Sequence, residues 1–73
     1  MGMAQRFLSL ADVTEVLSIT MSQARALVRT GELRAIQVGG KGTWRVEDCE
    51  LEAYIQRQYA KTDARLQEQE QSD

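Results

Sequence analysis

The sequence predicts a small α+β domain, mainly helical, in which a two-stranded hairpin lies between the second and third of three helices. Three observations lead to this fold class. Apolar residues recur at helical spacing in three stretches, and a very short turn separates the first two. On both sides of a glycine-rich segment, apolar residues instead occupy every second position, which is typical of strands. A chain of 73 residues can fill only one core, so we expect a single domain.

The first helix is predicted to begin at Leu10, because Ser9 and Asp12 have the spacing of a capping box. Its apolar stripe consists of Leu10, Val13, Val16 and Leu17. We expect the helix to end near Leu17, since the cap of the next helix follows almost at once. Two helices joined by so short a turn cross at a steep angle, as in a helix-turn-helix.

The second helix is predicted to open on Thr20, which forms a capping box with Gln23, and to stop at Gly31. One face is apolar and carries Ala24, Leu27 and Val28, with Met21 at its edge. The opposite face is small, polar and cationic, without a carboxylate: it carries Ser22, Ala26 and Arg29, flanked by Arg25 and Thr30. Such a face suits a groove lined by phosphates and base edges. An ordinary amphipathic helix with a solvated face has the same pattern, so this helix alone does not establish nucleic-acid binding.

After Gly31 two short strands are predicted, Arg34–Val38 and Thr43–Val46, joined by the tip Gly39-Gly40-Lys41-Gly42. We call this hairpin the wing. Trp44 is expected to pack over the core, because one face of the hairpin must be covered. Lys41 is the only charge at the tip, where it either approaches a phosphate or the minor groove or is simply solvated. The tip lacks the spacing of a phosphate loop, so we expect no nucleotide binding.

The third helix is predicted to start at Glu47 and Asp48, whose charges favour a helix N-terminus. Leu51, Ile55 and Tyr59, with Tyr54 alongside, are expected to close the core. Beyond Ala60 the apolar stripe ends. We therefore expect a flexible N-terminus over residues 1–7, a folded domain over 8–60, and a helix extension over 61–73 that becomes an acidic, glutamine-rich tail. Residues 67–73 are expected to fray or to be disordered.

The charge is divided along the chain. Residues 1–46 hold six Lys or Arg against three Asp or Glu, which gives +3. Residues 47–73 hold three Lys or Arg against eight Asp or Glu, which gives −5. Together the two parts have the net charge of −2. A cationic front suits nucleic acid, while an acidic rear limits indiscriminate binding. Acidic tails also serve as solubilising features, so the division supports nucleic-acid binding only modestly.

Residue types that catalysis needs are scarce. The chain has one cysteine, Cys49, and no histidine. A Ser-His or Cys-His nucleophile, a disulfide within the chain and a cysteine zinc cluster are thereby excluded. We expect no enzymatic activity, no cofactor and no metal. No apolar run approaches the length of a membrane span, and no charged start followed by an apolar segment suggests a secretory signal, so we expect a cytoplasmic, nucleoid-associated protein.

Taken together, these stretches resemble the excisionase-like, MerR-type winged helix-turn-helix family of small bacterial DNA-binding domains. The resemblance runs from Leu8 to about Ile55 and rests on four stretches in this order: LSLADVTEVLSIT, ALVRTGELRAIQVG, WRV and LEAYI. It implies a bacterial or phage protein that binds specific duplex DNA sequences in transcription control or site-specific recombination. It also implies that the second helix enters the major groove and that the wing lies along the flanking backbone or minor groove.

Carried over by position, the resemblance implies a set of DNA-binding residues: Ser22, Gln23, Arg25, Ala26 and Arg29 on the second helix, and Lys41 and Arg45 on the wing. The chain departs from the family at Ser18, where glycine is common, at Met21, Ser22 and Ala26, where basic residues are common, and in its longer wing tip. Fewer cations imply weaker binding by a lone domain. We therefore expect a second copy or an assisting protein on DNA, and no small-molecule effector.

Two alternatives remain open from the sequence. An excisionase, or recombination directionality factor, would use the same fold to bend or coat DNA beside an integrase site. A protein-interaction module would use the acidic third helix and tail to bind a partner protein. The sequence does not distinguish these roles from that of a transcription regulator.

Overall fold

The computed structural model describes residues 6–71, so the expected flexibility of residues 1–5 and the last two residues of the tail lie outside the described part of the chain. The elements follow in the order β1 (Phe7–Ser9), α1 (Leu10–Leu17), α2 (Met21–Arg29), β2 (Ile36–Val38), β3 (Thr43–Glu47) and α3 (Asp48–Gln71). Three helices and a small antiparallel sheet confirm the predicted fold class, a mainly helical winged helix-turn-helix.

Reciprocal capping boxes open the first two helices, as predicted. The Ser9 hydroxyl accepts from the Asp12 N–H at 3.1 Å, and the Asp12 carboxylate accepts from the Ser9 N–H at 3.0 Å. Thr20 and Gln23 repeat the arrangement at 3.1 and 2.9 Å. Between the helices Ser18 is left-handed, with φ 56°, which explains why the resemblance implies glycine at this position. These four bonds fix where each helix begins and keep the turn short.

We expect Thr20→Ala to lower the free energy of unfolding by about 1 kcal/mol, because the first-turn N–H of Gln23 loses its acceptor. Thermal unfolding followed by circular dichroism measures the change. Ser22→Ala is the matched control, since the Ser22 hydroxyl lies in the same turn and makes no hydrogen bond to the described residues. Equal losses in the two variants would contradict the capping role.

The sheet contains one strand more than the sequence predicted. Its order is β1-β3-β2, with both pairs antiparallel, so β3 is central. Phe7 pairs with Glu47, and Leu8 pairs with Val46. Phe7, which we expected in a flexible N-terminus, is therefore part of the sheet. Arg6 is also fixed, because its carbonyl accepts from the Asp48 N–H at 2.7 Å and its Nε donates to the Glu47 carboxylate at 2.8 Å.

Among the described residues, seven form a buried core between the sheet and the helices: Leu10, Val13, Ala24, Val28, Leu33, Val46 and Leu51. Trp44 packs against it, as predicted. Two assignments to the core were wrong. Val16 is 57% exposed, because α1 has only two turns and docks through the narrower stripe of Leu10, Val13 and Leu17. Tyr59 is 63% exposed, because the contacts of α3 with the core end near Ile55.

The third helix continues as one element to Gln71. The helix therefore includes residues 67–71 of the stretch in which we expected fraying. From Tyr59 to Gln69 every residue is exposed, so this part of α3 projects from the domain. Nearer the core, Arg57 Nη2 donates to the Glu32 carbonyl at 3.0 Å and ties α3 to the turn that follows α2.

Candidate nucleic-acid interface

The outward face of α2 is open along its whole length. Ala24 and Val28 turn into the core, which leaves the other side of the helix to solvent. All five residues predicted on this helix are exposed: Ser22, Gln23, Arg25, Ala26 and Arg29. Neither Arg25 nor Arg29 forms an ion pair with any described residue. The face therefore offers two free guanidinium groups and short side chains that permit close approach.

Gln23 is the one residue of this set that is already engaged. Its Oε1 accepts from the Thr20 N–H at 2.9 Å and lies 3.3 Å from the Thr20 hydroxyl. A bidentate contact to adenine needs both the oxygen and the nitrogen of a side-chain amide. With its oxygen used in the cap, Gln23 has only its Nε2 donor available. Its first role is to fix the start of α2.

The tip of the wing is a tight turn in which Lys41 is the only residue with a side chain. Gly39 and Gly42 have φ values of 78° and 67°, and the Gly42 N–H donates to the Gly39 carbonyl at 3.3 Å. Because L residues rarely adopt such angles, the glycines let the chain reverse here. Gln37 Nε2 also donates to the Gly42 carbonyl, at 3.3 Å. Lys41 is exposed at this tip and has no ion pair with the described residues.

A cleft of about 430 Å³ separates the start of α2 from the wing; we call it the arginine cleft. Arg25 lines it from α2, and Arg45 lines it from β3. The other lining residues are Ser9, Leu10, Met21, Gly42, Thr43 and Trp44. Arg45 is half-buried, and its Nη1 donates to the Trp44 carbonyl at 2.9 Å, which restrains the guanidinium. Sequence alone assigned both arginines to DNA without indicating that they meet in one cleft.

Glu47 and Glu50 line a hollow together with Arg45, but each forms an ion pair with a different arginine. Glu47 pairs with Arg6 at 2.8 Å, and Glu50 lies 3.7 Å from the guanidinium of Arg34. The hydrogen bond from Arg6 to Glu47 and their opposite charges raise the pKa of Arg6. On the far side of the domain, burial raises the pKa of the Tyr54 hydroxyl, and the charge of Glu32 adds to the effect. No carboxylate of the described residues lines the arginine cleft, although Arg45 also borders the neighbouring hollow that Glu47 and Glu50 line.

Other kinds of site find no support within residues 6–71. This part of the chain contains no group of three or more Cys, Asp or Glu side chains placed to hold a metal ion. No helix formed by the described residues is long and apolar enough to cross a membrane.

Comparison with known proteins identifies the family. The sequence model of a helix-turn-helix domain matches residues 7–59, which is most of the chain and includes α1, α2 and the wing. No curated protein and no solved structure matches the chain significantly. A helix-turn-helix domain indicates DNA binding, and the match agrees with the two capped helices and the wing described above. The chain therefore belongs to the helix-turn-helix family of excisionase-like domains.

Proposed function

We propose that this protein binds specific duplex DNA sequences as a small bacterial or phage transcription regulator and acts without catalysis. α2 enters the major groove, and the wing contacts the flanking backbone or minor groove. The observation that carries the proposal is the open face of α2, which is cationic, free of carboxylates and continuous with the wing through the arginine cleft. We place this action in the cytoplasm, on the nucleoid.

The dimensions of α2 support this docking. An α-helix with its side chains is about 10–12 Å wide, close to the width of the major groove. Ser22 and Ala26 are the short residues of the exposed face, so they allow the helix to lie deep in the groove. The Ala26 methyl group then meets a thymine methyl group, and the Ser22 hydroxyl bonds to a base edge or a phosphate.

Arginine roles follow from position along α2. Arg29 lies on the exposed face and has no partner among the described residues, so it suits a bidentate contact to guanine or a phosphate contact. Arg25 lies toward the wing and suits the DNA backbone. Gln23 contributes its Nε2 donor and holds the helix cap.

In vitro selection from a random duplex library tests the proposal. The expected result is a recovered sequence that the protein binds more tightly than scrambled duplex in fluorescence anisotropy, at both low and moderate salt. Genomic fragments that carry the sequence should then identify the regulated promoters. Failure to enrich any sequence, together with equal affinity for all duplexes at low salt, would contradict sequence-specific regulation.

Lys41→Ala tests the wing tip. If Lys41 contacts a phosphate, its removal weakens binding to all sequences alike and lowers the slope of log K against log salt by about one unit. Lys61→Ala is the control, because Lys61 is an exposed lysine on the projecting part of α3. A slope that is the same for Lys41→Ala and the unaltered protein would exclude the wing tip from the interface.

A second role within the same fold is that of an excisionase that bends or coats DNA beside an integrase site. Circular permutation of the selected site would distinguish it. If the protein bends DNA, the electrophoretic mobility of the complex changes with the position of the site in fragments of equal length. On DNA, a second copy or an assisting protein would compensate for the few cations of α2, because phosphate neutralisation supplies much of the affinity.

A role of another class is favoured by one observation, the exposed and acid-rich α3 beyond the core. A protein-interaction module would use this helix to bind a basic partner. Truncation after Ala60 separates the two proposals, because it removes the projecting helix and leaves α2 and the wing intact. DNA affinity that survives the truncation favours the regulator.

A further inference from the structure

The arginine cleft joins the two parts of the proposed interface. α2 lies on one side of it and the wing on the other. If α2 occupies the major groove and the wing lies on the adjacent backbone or minor groove, a DNA strand must pass between them. The backbone of that strand lies over the cleft. The cleft is thus the place where the protein meets a phosphate from both sides.

The charges of the cleft match a single anion. Arg25 and Arg45 come from different elements, yet no carboxylate lines the space that they share. Two cations that face one cleft repel each other unless an anion lies between them. Arg45 also borders a neighbouring hollow that Glu47 and Glu50 line, but these carboxylates already pair with Arg6 and Arg34. Neither Arg25 nor Arg45 forms an ion pair with a described residue, so both are available to an anion.

The geometry of Arg45 also suits a phosphate. One of its N–H groups donates to the Trp44 carbonyl at 2.9 Å, which orders the guanidinium before any ligand arrives. Arginine has five donors, so others remain for a phosphate oxygen. A restrained side chain loses less freedom on binding than a mobile one. Met21 and Trp44 supply apolar surface in the same cleft, against which a deoxyribose can pack.

We infer that the arginine cleft binds one phosphate of the DNA backbone, with Arg25 and Arg45 as joint ligands. The inference rests on the proposed function, and it specifies that these two arginines neutralise one phosphate rather than two. This shared phosphate fixes the position of α2 in the groove relative to the wing. Its contribution is therefore to register on the duplex and not to the choice of base.

Neutral methylphosphonate linkages provide the test. The duplex recovered by selection is prepared with one substituted linkage at a time, and affinity is measured for the unaltered protein, Arg25→Gln and Arg45→Gln. We expect one linkage at which the substitution weakens the unaltered protein roughly tenfold, the loss of one charge-assisted contact. At that linkage both variants should bind as tightly as the unaltered protein does. Arg65→Gln, on the projecting part of α3, should behave like the unaltered protein on every duplex.

Salt dependence gives an independent readout, because its slope counts the neutralised phosphates and not the cations. The double variant Arg25→Gln/Arg45→Gln should lower the slope by about one unit, whereas each single variant keeps one arginine on the phosphate and should change the slope little. A different sensitive linkage for each of the two arginines, together with a slope lowered by about two units in the double variant, would overturn the shared phosphate while leaving DNA binding intact. Variants that bind every duplex like the unaltered protein would also overturn it. Absence of binding by the unaltered protein would overturn the proposed function itself.

Discussion

Leu33→Ala is expected to lower the free energy of unfolding by roughly 2–5 kcal/mol. Leu33 is fully buried, and its backbone N–H donates to the Leu27 carbonyl at 3.0 Å, so it anchors the turn after α2 inside the core. Truncation leaves a cavity that the surrounding backbone fills only in part. A domain of this size has little stability in reserve, so the loss is a large fraction of the total.

Urea denaturation followed by Trp44 fluorescence measures this loss, since Trp44 is the only tryptophan and packs against the core. Leu66→Ala is a control with the same chemical change at a residue that is 51% exposed, and it should alter stability by less than about 0.5 kcal/mol. Equal destabilisation by the two substitutions would show that Leu33 is not part of the core.

Arg29→Ala is expected to weaken DNA binding by about 1–3 kcal/mol and to relax the preference at one base pair, if Arg29 contacts guanine. The effect is large because a bidentate contact disappears and the guanine acceptors lose their partner. Affinity for the selected duplex and for duplexes changed at each position measures both consequences. The folded state is expected to persist, because Arg29 is exposed and unpaired among the described residues.

Arg29→Lys separates base recognition from charge. Lysine keeps the positive charge but lacks the planar fork, so a guanine contact loses its preference while a phosphate contact keeps most of its affinity. Arg65→Ala, on the projecting part of α3, controls for the loss of one positive charge from the whole protein. If Arg29→Ala binds like Arg65→Ala, Arg29 does not contact DNA.

Local signals allowed the helices to be predicted from sequence. Each capping box involves residues three positions apart, so the bonds of Ser9 with Asp12 and of Thr20 with Gln23 follow from spacing alone. The exposed face of α2 follows from helical periodicity. Val16 misled the assignment, because it lies only about 60° from Val13 on the helix, and periodicity does not tell how wide the buried stripe is.

Features that depend on distant contacts were not predictable. β1 has three residues and no adjacent turn, and it is a strand only because β3 pairs with it. Leu33 lies alone between Gly31 and the wing, so no repeating pattern marks it as core. For the same reason, no sequence pattern indicates that Arg25 and Arg45 line one cleft, since this depends on how the wing folds beside α2.

The central position of β3 also bears on how the chain folds. β2 and β3 are neighbours in sequence, so their hairpin closes a short loop at little entropic cost. β1 joins the other edge of β3 from near the start of the chain, with both of the first helices in between. Closing that longer loop is slower, which makes β1 pairing a late step. A nascent chain can thus form its helix-turn-helix before the sheet is complete.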